Sequence, residues 1–310
     1  LDLQPRVHLE EVEALVLPRD ELAGVEGAVH EVEVLLHAGG PGPDRAVHLR
    51  RAGRAGSGGE DHAGIAGQIE DPWEAGDAFG MMAWNGAMLG DFEGSVQAGF
   101  LGRDAAGRQA AGVAEHCLNW AGTSLFHLGD WDRLLDTFRE VQGLLGDRSE
   151  DPPYFTTSLF GAAAFVHEAR GMPSAGALLE LVGRIRATVL DVAVMASHWL
   201  AWVMARRGDL DRAWALIREG RLDSATFRPF YDQVVAELIA LSGRWEDVPP
   251  FLEGSRAYAA EAGLNALPVH LVRLEARAAV AAGLTDRGIE LLGEAGEGFD
   301  ALGAAWERAR

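Results

Sequence analysis

From Pro72 onward, apolar side chains recur every three or four positions, and a glycine cuts the runs at intervals. The stretch LFHLGDWDRLLDTF, residues 125–138, shows the unit. One run ends at Leu128, Gly129-Asp130 interrupts, and a second run follows with Leu134, Phe138 and Val141 as its apolar stripe. Glycine accepts the left-handed backbone that closes a helix, and an aspartate behind it accepts from the free N–H groups that open the next. The same punctuation falls at Gly90, Gly129, Gly171, Gly208, Gly243 and Gly283, at spacings of 39, 42, 37, 35 and 40 residues. Intervals of this size predict helical hairpins stacked one on the next.

Two further positions follow the same register. Seven residues before each glycine stand Ala83, Gly122, Ala164, Ala201, Ala236 and Ala276, all small. They are expected to face the partner helix, where only a small side chain lets two backbones approach. Two residues after the glycine come Phe92, Trp131, Leu210 and Trp245, expected to anchor the second helix on the first. Gly171-Met172-Pro173 and Gly283-Leu284-Thr285 lack the Asp-aromatic pair, and Pro249-Pro250 falls early in a second helix, so distorted units are expected there. The fold class predicted is all-α, a solenoid of about six antiparallel helical hairpins over residues 72–310. An irregular helical bundle is the competing arrangement.

Residues 1–71 read differently. They hold no Phe, Trp, Tyr or Met, yet carry five of the ten histidines, at positions 8, 30, 37, 48 and 62. One helix is expected over Asp20–Leu36. The stretch behind it, HAGGPGPDRAVHLRRAGRAGSGGEDHAG, is too rich in Gly, Pro and charge to bury much apolar surface, so a poorly ordered segment is expected. Its composition also admits a second explanation, that the stretch is not a natural reading frame joined to the rest.

Charge and composition narrow the function. A net charge of -20 and a pI near 4.8 argue against a nucleic-acid partner, because phosphate backbones are bound through basic surface. All 27 basic residues are arginine. The absence of lysine excludes the phosphate loop G-x-x-x-x-G-K-[ST] and Schiff-base chemistry. The single cysteine, Cys117, excludes an internal disulfide framework and fits a reducing, cytoplasmic setting. The longest apolar run, Leu190 to Met204, is broken by Asp191, Ser197 and His198, so no membrane span is expected, and the opening stretch does not read as a secretory signal.

The small residue, the Gly-Asp-aromatic turn and the apolar stripe behind it resemble the tetratricopeptide repeat, with longer and looser units. The chain from about residue 72 also resembles the helical C-terminal arrays of large bacterial regulatory ATPases and adenylate/guanylate cyclase-like signalling proteins. That resemblance is carried by LGDRSEDPPYFTTSLFGAAAFVHEARG at 145–171 and FDALGAAWERAR at 299–310. It implies catalytic and nucleotide-binding domains upstream. It also implies a repeat domain truncated in mid-unit, since Trp306 to Arg310 opens a helix that does not finish, leaving an uncapped apolar end.

In such an array the first helix of each pair faces an inner groove. Thirteen residues before each turn glycine lie Asp77, His116, Ser158, Met195, Phe230 and His270; ten before, Gly80, Asn119, Gly161, His198, Gln233 and Arg273; six before, Trp84, Thr123, Phe165, Trp202, Glu237 and Arg277. Rings mixed with hydrogen-bonding groups suit capture of a peptide, a partner helix or upstream domains of the same parent protein. The candidate groove residues are Trp84, His116, Asn119, Thr123, His198, Trp202, Gln233, Glu237, Arg273 and Arg277. The bland alternative makes Trp84, Phe165 and Trp202 ordinary core between units. Arg273 and Arg277, one turn apart, are placed to clamp a carboxylate or phosphate, with ion pairs to Glu237 or Glu275 as the competing fate.

No catalytic, metal or cofactor constellation emerges. His116 and Cys117 are adjacent on a helix and point about 100° apart, so they cannot share an ion, and Cys117 is expected as a small buried residue. The prolines of GGPGPD at 39–44 remove donors a phosphate loop needs, and Glu150-Asp151 sits beside Pro152-Pro153 in an expected exposed linker. The function expected is a noncatalytic protein-interaction or sensor scaffold, the regulatory repeat region of a larger signalling ATPase or cyclase-like protein. The alternatives are a helical toroid or bundle enzyme with titratable groups converging in a closed pocket, and a small-molecule sensor using Trp84 and Trp202 as a platform. An open groove lined by Asn119, His198, Gln233 and Arg273 would favour the binder.

Overall fold

The computed structural model describes residues 71–186, 190–220 and 227–309. The helix expected over Asp20–Leu36 and the poorly ordered segment around it lie outside the described residues. Among those residues there are thirteen α-helices and no strand. In chain order they are α1 (Pro72–Leu89), α2 (Phe92–Ala106), α3 (Ala111–Leu128), α4 (Trp131–Leu145), α5 (Thr157–Ala169), α6 (Ala175–Arg186), α7 (Leu190–Arg206), α8 (Leu210–Glu219), α9 (Arg228–Ser242), α10 (Val248–Ala262), α11 (Ala266–Ala281), α12 (Thr285–Ala301) and α13 (Ala305–Ala309). Short 3-10 turns lie between α4 and α5 and at Trp245–Asp247 before α10. No helix among the described residues is long and apolar enough to cross a membrane.

The predicted punctuation is where the helices break. All six turn glycines have positive φ, between 64° and 90°. The carboxylates of Asp91, Asp130 and Asp209 accept from the backbone N–H of Gly94, Arg133 and Arg212, three residues on. Gly171 and Gly283 turn in the same way without the aspartate. Pro249-Pro250 does not distort its unit: the two prolines sit in the first turn of α10, where their missing N–H groups have no intrahelical partner to lose.

Each odd-numbered helix packs on the even-numbered helix that follows it, through all six pairs, and α1 through α9 with odd numbers each pack on the next odd-numbered helix as well. The odd helices therefore form one inner row, and α2 through α12 with even numbers lie behind it. The small positions serve this packing, and all six are buried. Ala83, Ala201 and Ala276 are fully buried. Gly122 serves a different neighbour from the one expected, because a Cβ there would lie 2.3 Å from Leu159 of α5, in the next pair rather than on its own partner helix.

Phe126 is the hub of the core. Fully buried, it sets its ring 5.1 Å from Phe165, 4.9 Å from Trp199 and 5.4 Å from Trp202, joining α3, α5 and α7. Edge-to-face contacts of this kind add about 0.5–1.5 kcal/mol each to the area buried.

The inner row curls until its end meets its beginning. The backbone N–H of Asn265, ahead of α11, donates to the carbonyl of Leu89 at the end of α1 at 2.8 Å. The final short helix α13 packs against α3 as well as α12. The residues flanking Trp306 are not exposed, since Ala304 and Glu307 are each about 1% exposed. Exposed apolar side chains are found instead at Leu284, Ile289 and Leu292, at the start of α12 and along it.

Candidate functional site

The inner row carries the candidate residues, and its register divides them by depth. At one end, Trp84, Trp120, Met195 and Phe230 close on one another from α1, α3, α7 and α9 as an apolar cluster. Trp84 and Trp120 are stacked at 6.1 Å. Phe230 lies over His127 at 6.1 Å, and His127 over Phe92 at 4.6 Å.

Deeper in the row, polar side chains tie helix to helix. The Asn119 side-chain oxygen accepts from Leu159 N at 2.9 Å, and the Thr123 hydroxyl bridges the Asn119 carbonyl at 2.8 Å and Ser158 Oγ at 2.7 Å. His116 Nε2 accepts from the Trp120 indole at 2.7 Å, and burial pushes its pKa down to about 4. His198 is pushed down to about 3 by burial, so its ring is neutral. Neither ring nitrogen of His198 nor Oε1 of Gln233 has a hydrogen-bond partner among the described residues. A buried polar atom left unpaired costs about 1–3 kcal/mol.

At the other end the row is ionic. Glu237 Oε2 accepts from Arg277 at 3.0 Å and lies 3.9 Å from the Arg273 guanidinium. Arg273 in turn holds the Glu307 carboxylate at 3.0 Å and donates to the Glu307 carbonyl at 3.0 Å. It also meets His270 Nδ1 at 3.1 Å and lies over the Phe299 ring. Arg273 and Arg277 thus meet the competing fate named for them, ion pairing within the chain, Arg277 with Glu237 and Arg273 with Glu237 and Glu307.

Above this layer, a cleft of about 330 Å³ opens between Phe165, Trp202, Ala205, Arg206, Glu237, Leu241 and Arg277. Trp202, Glu237 and Arg277 thus share one surface, one helical turn beyond His198, Gln233 and Arg273 on the same helices. Arg206 stands exposed at its lip, stacked over Phe165 at 5.2 Å and Trp306 at 5.8 Å, with no carboxylate in ion-pair range among the described residues. Glu237 and Glu307 pair with Arg273 and Arg277, while Arg206 interacts electrostatically with Glu168, whose carboxylate Arg207 holds through two hydrogen bonds.

The open groove expected along Asn119, Thr123, His198, Gln233 and Arg273 is not present. All five are at most 6% exposed, because the row curls and its inner side chains pack against each other. Trp84 belongs to the apolar cluster, and His116 lines a separate cleft of about 440 Å³ with Trp73, Tyr154 and Phe155. Sequence reasoning missed Arg206, Leu241 and Trp306. The signal for Arg206 was its place one turn beyond Trp202 on the same face; Trp306 came from a stretch expected to be unfinished.

Other candidates are structural. Cys117 is fully buried, donates to the Gly76 carbonyl at 3.2 Å, and burial pushes its thiol up to about 12. Glu150 and Asp151 are exposed. No group of three or more metal-ligating side chains forms among the described residues. Comparison with family models, with curated proteins and with solved structures finds no match to this chain.

Proposed function

We propose that residues 72–310 form a tetratricopeptide-like solenoid acting as a noncatalytic interaction or sensor scaffold. In this reading the domain is the regulatory repeat region of a larger signalling ATPase or cyclase-like protein, and its cleft takes an acidic, aromatic-bearing peptide or helix, from a partner or from upstream domains of the parent. The observation that carries the reading is Arg206, an exposed guanidinium that lines an aromatic-walled cleft with Arg277 and has no carboxylate in ion-pair range among the described residues. Planar guanidiniums bind carboxylates in bidentate fashion, and rings beside them bury the ligand's apolar side and lower the local dielectric. The helix pairing, the turn glycines and the small-residue register support the repeat assignment. The noncatalytic reading is supported by the state of the titratable groups: His116 and His198 are held neutral by burial, and the Cys117 thiol is kept protonated.

Fluorescence anisotropy with a labelled helical peptide bearing one tryptophan and several glutamates tests this. Arg206→Ala and Arg277→Ala should each weaken binding about tenfold, the loss of one charge-assisted contact, and added salt should weaken it further. Equal affinity for a version of the peptide with lysine at every glutamate would remove the proposal. A small-molecule sensor is the second reading. It is favoured by the cleft at Trp73, where Trp73 and Tyr154 remain 52% and 40% exposed. Quenching of Trp73 emission by a small aromatic ligand, abolished in Trp73→Leu, would support it.

A further inference from the structure

Among the described residues the exposed aromatic side chains are Trp73 and Tyr154, and both line one cleft, that of about 440 Å³. Trp73 comes from the first turn of α1, and Tyr154 and Phe155 from the short 3-10 turn ahead of α5. The start of α3 completes the lining, where Ala110, Ala111 and Gly112 are small enough to leave the space open. Phe155 lies 5.6 Å from Tyr154 at 76° and 6.2 Å from His116 at 65°, so the rings stand nearly at right angles, as the sides of a box do. The segment that carries two of them is fixed. The Thr156 hydroxyl donates to the Pro153 carbonyl at 2.7 Å, and Arg148, a few residues earlier, holds the buried Glu115 of α3 at 2.7 Å.

These ring faces are not covered by the chain's own cations. Elsewhere guanidiniums lie over rings: Arg133 over Phe100, Arg170 over Trp131, Arg206 over Phe165, Arg228 over Tyr258 and Arg244 over Trp214. No guanidinium among the described residues lies over Trp73, Tyr154 or Phe155. The lining carries no charged side chain. His116 adds a ring without charge, since its Nε2 accepts from the Trp120 indole and burial holds it neutral. Neighbouring charge in the chain is mainly acidic. Asp71 and Glu74 flank Trp73, Asp77 follows one turn later, and Glu150 and Asp151 precede Tyr154, against Arg108 beside Gln109. An aromatic face attracts a cation, more strongly where water is partly excluded, and an acidic surround adds to the attraction.

We propose that this cleft is a binding site for a trimethylammonium compound, its methylated nitrogen seated against the faces of Trp73, Tyr154 and Phe155. The lining has no carboxylate to hold an N–H donor, so a nitrogen that carries only methyl groups suits it better than a primary amine. Helix α3 opens without a side-chain cap, so the N–H groups at Ala111 and Gly112 are donors for an oxygen on the same ligand, such as the hydroxyl of choline. The proposal deepens the small-molecule reading of this cleft and rests on it; the Arg206 cleft is a separate site.

The test uses the 310-residue chain and three probes followed by ligand-observed NMR: choline, its neutral carbon isostere 3,3-dimethylbutan-1-ol, and benzoate. Choline should bind, and the isostere roughly tenfold or more weakly. Trp73→Leu and Tyr154→Leu should each weaken choline about tenfold and narrow its lead over the isostere. Gly112→Leu keeps every ring and extends a side chain toward Phe155, to which a Cβ would stand 3.9 Å away, so it should abolish choline binding with helicity unchanged by circular dichroism. Equal affinity for choline and the isostere would overturn the ammonium assignment and leave an apolar ligand cleft standing. Benzoate bound in preference to choline would assign the cleft to anions at the start of α3 and overturn it too. Choline binding untouched by all three variants would place the site elsewhere. Binding of none of the probes would sink the small-molecule reading together with the proposal. Cosedimentation with phosphatidylcholine vesicles, competed off by choline, would support the cage with a lipid headgroup as its source; choline bound without cosedimentation would support it with a free solute.

Discussion

The two ends of the inner row share one register and use opposite chemistry. Where α1, α3, α7 and α9 converge, Trp84, Trp120, Met195 and Phe230 exclude water without directional bonds. Where α9 and α11 meet α13, Glu237, Arg273, Arg277 and Glu307 depend on each other. Apolar burial stabilises by roughly 25 cal/mol per Å² whatever the orientation, so the first end fixes the curl of the array. A buried ion pair contributes little net stability when intact, yet leaves an uncompensated charge when one member is removed. The second end is thus the one where the array is conditionally closed, and it lies beside the cleft.

That contrast can be broken in several ways, from the largest effect down. Phe126→Ala should cost about 3–5 kcal/mol in a urea melt, because the ring it removes joins three helices of the inner row. A loss under about 1 kcal/mol would show that the hub does not carry the curl. Glu307→Ala should cost about 3 kcal/mol by leaving Arg273 buried beside a removed partner, whereas Met195→Leu at the apolar end should cost less than about 1.5 kcal/mol. Equal losses would erase the distinction between the ends.

Acid should act through the buried imidazoles. His198 and His116 have folded pKa values of about 3 and about 4, below the ordinary value of 6.5, so the unfolded chain binds more protons between these limits. Their contribution is complete above pH 6.5 and is lost as pH falls toward 4. Asp77 and Asp232, whose carboxyl pKa values burial raises, act in the opposite sense at the acid end of that window. His198→Leu should flatten the stability profile between pH 6.5 and 4, and an unchanged slope would contradict the burial assigned to it. The smallest effects belong to the rim. Asp130→Ala should cost about 1 kcal/mol through its lost cap, and Arg139→Ala, exposed and paired with the exposed Asp136, under about 0.5 kcal/mol.

What was legible in the sequence was local. A left-handed turn needs glycine, a free helix start takes aspartate, and close helices need a small residue, so Gly129, Asp130 and Ala164 announced their roles without any knowledge of the fold. The burial of His198, Gln233 and Arg273 was not legible in the same way. It follows from how successive pairs pack on one another, which no single residue encodes. The partners of Arg273 divide in the same way. Glu237, 36 residues earlier in the preceding unit, was legible as an ion-pair partner from the repeat register, whereas Glu307, 34 residues on, held no register position.

The central claim is that ligands meet the inner row at the cleft and not the outer helices. A photoreactive phenylalanine placed in the acidic helical peptide, followed by mass-spectrometric mapping of the adducts, tests it most directly. Adducts confined to Trp202, Arg206 and Leu241 are predicted. Adducts on the exposed outer apolar residues Ile289 and Leu292 of α12, with the cleft unlabelled, would contradict it.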